Sequence, residues 1–207
     1  MVSLYDVVLK PEDKFILSKG HACYPLYVLL REKGYNPRIS GHPDYDSENR
    51  LEATTGSLGH GLPLGVGMAL AKKIKKQNGQ IYVLLGCGEC QEGTIWESSL
   101  IASHHKLNNL TAIVDYNKIQ GSAKTNDVLF LGDLNQKFQS FGWHVLEIDG
   151  HNFQEIIPAL QQPTYEKPKM IIANTIKGKG VSFMENNPDW HGLPDLKKLK
   201  QAYEELK

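Results

Sequence analysis

The chain has 207 residues, 41% of them hydrophobic, enough to bury a core of about one average domain. Twenty-three Lys and Arg balance 23 Asp and Glu, so the formal charge is zero and nothing in the overall balance points to nucleic acid or an anionic membrane as partner. No apolar run reaches the roughly 18 residues of a spanning helix, and Met1-Val2-Ser3-Leu4-Tyr5-Asp6 lacks the basic-then-apolar order of a secretory signal, so a cytoplasmic protein is expected.

In chain order, a helix fits Tyr24 to Lys33. A longer one, rich in small residues, fits Leu58 to Gln77; its lysines at 72, 73, 75 and 76 suit the negative end of the helix dipole and read as solvated surface rather than a ligand site. Short apolar runs at Ile81 to Leu85, Leu110 to Val114, Trp143 to Ile148 and Met170 to Ala173 read as buried strands. Between them the period lengthens to that of helices over Glu92 to Leu107, 133–141 and 152–162, and Leu196 to Leu206 forms a polar terminal helix. Strand alternating with helix predicts an α/β fold, a mostly parallel sheet with helices on both faces, as a single domain over 1–207.

In such a sheet, ligands sit beyond the carboxyl ends of the strands. Gly86-Cys87-Gly88-Glu89-Cys90-Gln91-Glu92-Gly93 follows one strand and Asp115-Tyr116-Asn117-Lys118-Ile119-Gln120-Gly121 the next. The glycines at 86 and 88 permit a tight turn and close approach of the backbone to an anion. The dinucleotide fingerprint would need a third glycine where Gln91 stands, and no phosphate-loop sequence with its Lys-Ser/Thr ending occurs. Cys87 and Cys90 could alternatively be a redox dithiol, although the rest of the chain matches no such domain, and a structural zinc site would need a second cysteine pair where only Cys23 remains.

The two loops together resemble the thiamine diphosphate motif, which opens Gly-Asp-Gly and closes on Asn about thirty positions later, in its transketolase form. The likeness extends upstream through Leu17-Ser18-Lys19-Gly20-His21, Gly41-His42-Pro43 and Thr54-Thr55-Gly56-Ser57-Leu58-Gly59-His60-Gly61. Downstream it includes Gly142-Trp143-His144-Val145, Asp149-Gly150-His151 and Lys177-Gly178-Lys179-Gly180 leading to His191-Gly192. It covers roughly residues 4 to 194 and is nearest to the N-terminal, diphosphate-binding subunits of split, two-chain transketolases.

The resemblance implies thiamine diphosphate as cofactor, held through Mg²⁺ or Ca²⁺. It implies Asn117, through its side-chain oxygen, and Ile119, through its carbonyl, as cation ligands. Gly88 and Glu89 would lie along the diphosphate, Gly56, Leu58 and Gly59 would form the wall by which the cofactor enters, and Glu92 would face the partner chain. His21, His42 and His191 would bind phosphate and move protons on a sugar donor; His60 stands where a glutamine is common. The implied reaction moves a two-carbon ketol unit from a ketose to an aldose acceptor. The implied partner is a separate pyrimidine-binding, C-terminal subunit, in a hetero-oligomer or dimer.

Two departures stand out. Cys87 replaces the Asp that would ligate the metal, and a soft thiol is a poor ligand for a hard ion. Weakened or absent binding in the isolated chain is expected, with compensation by Glu89 or water, or loss of activity, as the other outcomes. The helical arm that precedes the aligned region in transketolases also has no counterpart before Leu4. A catalytically silent binding or assembly subunit, and another thiamine-dependent carboligase, are the alternative readings.

Overall fold

In a computed structural model that describes residues 1–121, 123–191 and 196–207, the chain builds one five-stranded parallel sheet. Its strands are β1 (Lys14–Leu17), β2 (Ile81–Gly86), β3 (Leu110–Tyr116), β6 (His144–Asp149) and β7 (Lys169–Asn174), ordered β1-β2-β3-β7-β6. A short antiparallel pair, β4 (Ile119–Gln120) and β5 (Ala123–Lys124), follows β3. The helices are α1 (Cys23–Glu32), α2 (Gly61–Ile74), α3 (Gly93–His104), α4 (Thr125–Val128), α5 (Leu134–Ser140), α6 (Phe153–Gln161) and α7 (Leu199–Glu205).

Alternation along the strands divides the core in two. Ile81, Val83 and Leu85 of β2, with Leu110, Ala112 and Val114 of β3, pack under α2, α3 and α5 beside Leu62, Val66, Ile95, Phe138 and Trp143. Tyr82 and Ile171 face the other way, into a layer with Leu26, Tyr27 and Leu30 of α1 and Ala159 and Leu160 of α6. The central strands β2, β3 and β7 are therefore largely apolar on both faces, as a covered parallel sheet requires, and helices flank both sides as expected.

Several elements depart from expectation, three of them for identifiable local reasons. β1 was not anticipated; it has four residues, begins with a lysine, and is held by parallel pairing to β2. α2 starts at Gly61 rather than Leu58, because residues 56–60 form a loop in which Gly56 and Gly59 take positive φ. α3 stops at His104, and Lys106 turns left-handed just beyond it. The lysines at the end of α2 have a specific use: Lys72 Nζ donates to the carbonyls of Glu12 (3.0 Å) and Asn78 (2.7 Å), and Lys73 Nζ to those of His105 and Lys106 (2.8 Å each). Among the described residues no helix is long and apolar enough to cross a membrane. Gly192 of the anticipated His191-Gly192 pair lies outside the described residues.

At the amino end of β7, the Lys169 side chain runs into the core at 3% exposure and donates from Nζ to the carbonyls of Ala159, Leu160 and Gln162, 2.8 Å each. It thus closes the C-terminal turn of α6, whose last carbonyls have no helical partner. Lys169→Met keeps the apolar stem but strands these acceptors. It should destabilise the fold by about 2–3 kcal/mol in urea unfolding, with an unchanged m-value.

Candidate functional site

All five strands of the sheet run parallel, so their carboxyl ends gather on one side, and the loops leaving β1, β2, β3 and β7 meet there. Two adjoining cavities open among them. One, about 350 Å³, is walled by the loop after β2 and by Gly56, Asn117, Ile119 and Gln120. The second, about 590 Å³, extends under the sheet past Leu84, Ile113 and Ile171. Lys19, His21, Asn117, Lys177 and His191 border both.

The loops are tied together by one carboxylate. Glu89 is 1% exposed. Its Oε1 accepts from the Gly59 N–H at 2.9 Å and from the Ser18 hydroxyl, and its Oε2 accepts from the Gly86 N–H at 3.0 Å. Ser18 Oγ in turn accepts from the Gly61 N–H at 3.1 Å. Burial pushes the Glu89 carboxyl above its ordinary pKa, while the Ser18, Gly86 and Gly59 hydrogen bonds and the charge of Lys19 pull the other way. Gly59 has no room for a side chain: a Cβ there would lie 2.6 Å from Thr94 Oγ1 and 2.7 Å from Glu92 Cβ, and its φ is +82°. Glu89 therefore faces inward, its oxygens engaged by the scaffold, a geometry that does not favour the alternative in which it compensates for the replaced aspartate.

A second carboxylate, Asp115, sits at the end of β3. It accepts from Lys19 Nζ at 2.6 Å, from the Thr175 hydroxyl, and from Asn117 Nδ2 at 3.4 Å. Burial raises its pKa, but Lys19 and these hydrogen bonds outweigh burial and hold the carboxyl below the usual range. Lys177, half-buried beyond β7, makes no ion pair among the described residues, and burial with the neighbouring charge of Lys19 lowers its pKa. Neither lysine was singled out from sequence, although both follow strand ends within the motifs named above; that position was the available signal.

The histidines separate into groups. His21 and His191 are exposed at the cavity rim with ring centroids 4.9 Å apart. Partial burial, followed by the charges of Lys19, His191, Lys177 and His42, pushes His21 down to about 4; burial, Lys177 and Lys19 also lower His191. His42 lies alongside, and a Cβ on Gly56 would sit 3.0 Å from its Cδ2. Neither His42 nor His60 borders either cavity, and His60 Nδ1 lies 3.0 Å from the Leu58 carbonyl. Leu58 and Glu92 border the smaller cavity, Glu92 being exposed just before α3.

On the opposite wall, Cys87 Sγ lies 3.7 Å from Asn117 Oδ1, 3.8 Å from the Ile119 carbonyl and 3.2 Å from Thr125 Oγ1. The three positions expected to ligate a cation thus converge. Gln120 Oε1, which sequence reasoning passed over, is buried beside Gly88 without a hydrogen-bond partner; a Cβ on Gly88 would approach it to 2.5 Å. Cys87 and Cys90 are 1% and 0% exposed and both are free thiols, and burial raises Cys90 well above its ordinary pKa. A redox dithiol needs an accessible thiolate, and both of these sulfurs are buried.

Chemically, Lys19 and Lys177, with the imidazoles of His21 and His191 beside them and Asp115 paired to Lys19, make a rim suited to an anion, and the facing wall offers neutral oxygens and a thiol. Because positive neighbours depress His21, a bound anion should raise it. In NMR titrations, the His21 ring of the free chain should titrate near 4 and shift upward by about one unit or more with pyrophosphate. A ring titrating near 6.5 in the free chain, unmoved by the anion, would contradict this electrostatic picture.

Comparison with known proteins agrees with the geometry. Residues 6–204 match the family described as transketolase, thiamine diphosphate binding domain. An apulose-4-phosphate transketolase subunit of Phocaeicola vulgatus is 40% identical over 209 residues, covering 94% of this chain and 74% of that protein. The 6-deoxy-6-sulfo-D-fructose transketolase subunit SqwG of a Clostridium species is 40% identical, with 92% and 74% coverage. The transketolase structure from Leishmania mexicana superposes with a TM-score of 0.85 at 30% identity, over 92% of this chain and 34% of that one. The chain belongs to the transketolase family, as a thiamine diphosphate-binding domain of the kind found in the N-terminal subunits of split transketolases.

Proposed function

We propose that this chain is the diphosphate-binding subunit of a two-chain, thiamine diphosphate-dependent transketolase, transferring a two-carbon ketol unit from a ketose to an aldose. The observation that carries this reading is the convergence, around one cavity, of residues from four separate strand ends that the resemblance had independently assigned to cofactor and sugar. The naming of the relatives as transketolase subunits supports a second chain, which would complete the site at its open mouth beside Glu92.

The roles follow from position. Lys19 and Lys177, which line the cavity with Gly88, would offset the charge of a diphosphate bound there. Bound thiamine diphosphate supplies the electron sink for breaking the bond beside a ketose carbonyl. His21 and His191, neutral at pH 7 in the free site, can accept or donate a proton at the sugar oxygens, with His42 alongside. A silent assembly role is the second reading, favoured by one observation: among the described residues no carboxylate accompanies Cys87, Asn117 and Ile119 in place of the expected aspartate.

The test is reconstitution with thiamine diphosphate and a pyrimidine-binding transketolase chain, monitoring two-carbon transfer from a ketose. Activity should require both chains and the cofactor, and His21→Ala should lower kcat by about 10²- to 10⁴-fold while the complex still assembles. A well-folded complex that binds the cofactor yet transfers nothing would favour the silent assembly role.

A further inference from the structure

The wall facing the diphosphate position does not match a hard cation. It presents one sulfur, Cys87 Sγ, and three neutral oxygens, Asn117 Oδ1, the Ile119 carbonyl and the unpartnered Gln120 Oε1. Neither nearby carboxylate can be lent to it: Glu89 is held by Ser18, Gly59 and Gly86, and Asp115 by Lys19, Thr175 and Asn117. Mg²⁺ and Ca²⁺ favour oxygen ligands and draw much of their affinity from carboxylates. A buried sulfur in that position shifts preference toward borderline and soft divalent ions.

The spacing is compatible with such an ion. A metal about 2.3 Å from sulfur and about 2.1 Å from oxygen, at a near-tetrahedral angle, separates the two donors by about 3.6 Å. Cys87 Sγ is 3.7 Å from Asn117 Oδ1 and 3.8 Å from the Ile119 carbonyl. Among the described residues no three His, Cys, Asp or Glu side chains converge on a common point, so the remaining ligands must come from the anion itself.

We infer that the cation position of this chain is thiophilic: an ion of the Co²⁺, Zn²⁺ or Cd²⁺ class, held between Cys87, Asn117, Ile119 and the diphosphate, takes the place of Mg²⁺ or Ca²⁺. The inference rests on the cofactor reading proposed above. On binding, the Cys87 S–H bond breaks, the proton passes to solvent and the sulfur pair is donated to the metal; nothing is oxidised or reduced.

Two measurements test it. With Co²⁺ and inorganic pyrophosphate, the chain should develop a near-ultraviolet sulfur-to-cobalt charge-transfer band that Cys87→Ser and Cys87→Asp both lack. In calorimetry, Co²⁺ or Cd²⁺ should tighten thiamine diphosphate binding to the wild type by at least about tenfold over chelator, and Mg²⁺ by less than about twofold, with the order reversed in Cys87→Asp. A wild type that Mg²⁺ strengthens as much as Cd²⁺ does, or that gives no Cys87-dependent band, would overturn the inference. If the wild type binds thiamine diphosphate as tightly with chelator or Mg²⁺ as with Co²⁺ or Cd²⁺, this inference falls and the cofactor reading stands; if only Cys87→Asp binds it, both fall for this chain. If neither protein binds the diphosphate with any ion, both fall.

Discussion

The candidate site depends on one buried carboxylate. Glu89 sits among three loops that leave different parts of the fold, and its two oxygens take a hydroxyl from the end of β1, an amide from the loop before α2, and an amide from the end of β2. A carboxylate accepts several hydrogen bonds at once, whereas a neutral side chain of the same shape must present a donor on one side. Burying it is unfavourable unless those acceptor positions are filled, and three backbone or hydroxyl donors fill them. The consequence is positional: Lys19 and His21, Gly56 and Leu58, and Cys87 and Gly88 all lie within a few residues of an atom bonded to Glu89 or to its partner Ser18.

Charge then divides the site into two sides. On one are Lys19 and Lys177, with His21 and His191 beside them and Asp115 paired to Lys19; the depressed pKa of His21 reflects burial first and these neighbouring charges second. On the other are carbonyl oxygens and a thiol. A diphosphate would suit the first side and a cation the second, so the electrostatics are compatible with the family assignment. The thiol at 87 keeps the position of the replaced aspartate but not its charge or hardness.

Much of the fold was legible because both faces of the sheet are covered, so β2, β3, β6 and β7 read as apolar runs between helical stretches. β1 escaped because Lys14–Leu17 is short and owes its existence to pairing with β2, which no local pattern announces. Residues 58–60 read as the first turn of the helix that follows, but they form a loop in which Gly59 takes a positive φ and has no room for a Cβ beside Thr94 and Glu92, contacts from elsewhere in the chain. Within the site, motif position located Asn117, Ile119, His21 and His191, which the fold brings to one cavity, whereas His60 falls outside it. The inward turn of Glu89 was illegible, since the direction of its side chain is decided by the 3₁₀ turn at Gly88–Gln91 and by partners about thirty and seventy residues away. Lys19 and Lys177 were within reach of the rule that ligands gather at carboxyl strand ends, but the histidines drew attention from them.

The most direct test of the role of this carboxylate is amide hydrogen exchange at Gly59 and Gly86 in wild type and Glu89→Gln. The amide of Gln must set a donor against one of the donors that the carboxylate accepts. If Glu89 holds the loops together, protection at Gly59 and Gly86 should fall by about tenfold or more, while the amides of β3 and β7 exchange as in the wild type. Unchanged protection at both glycines in the folded variant would contradict the central role assigned to Glu89.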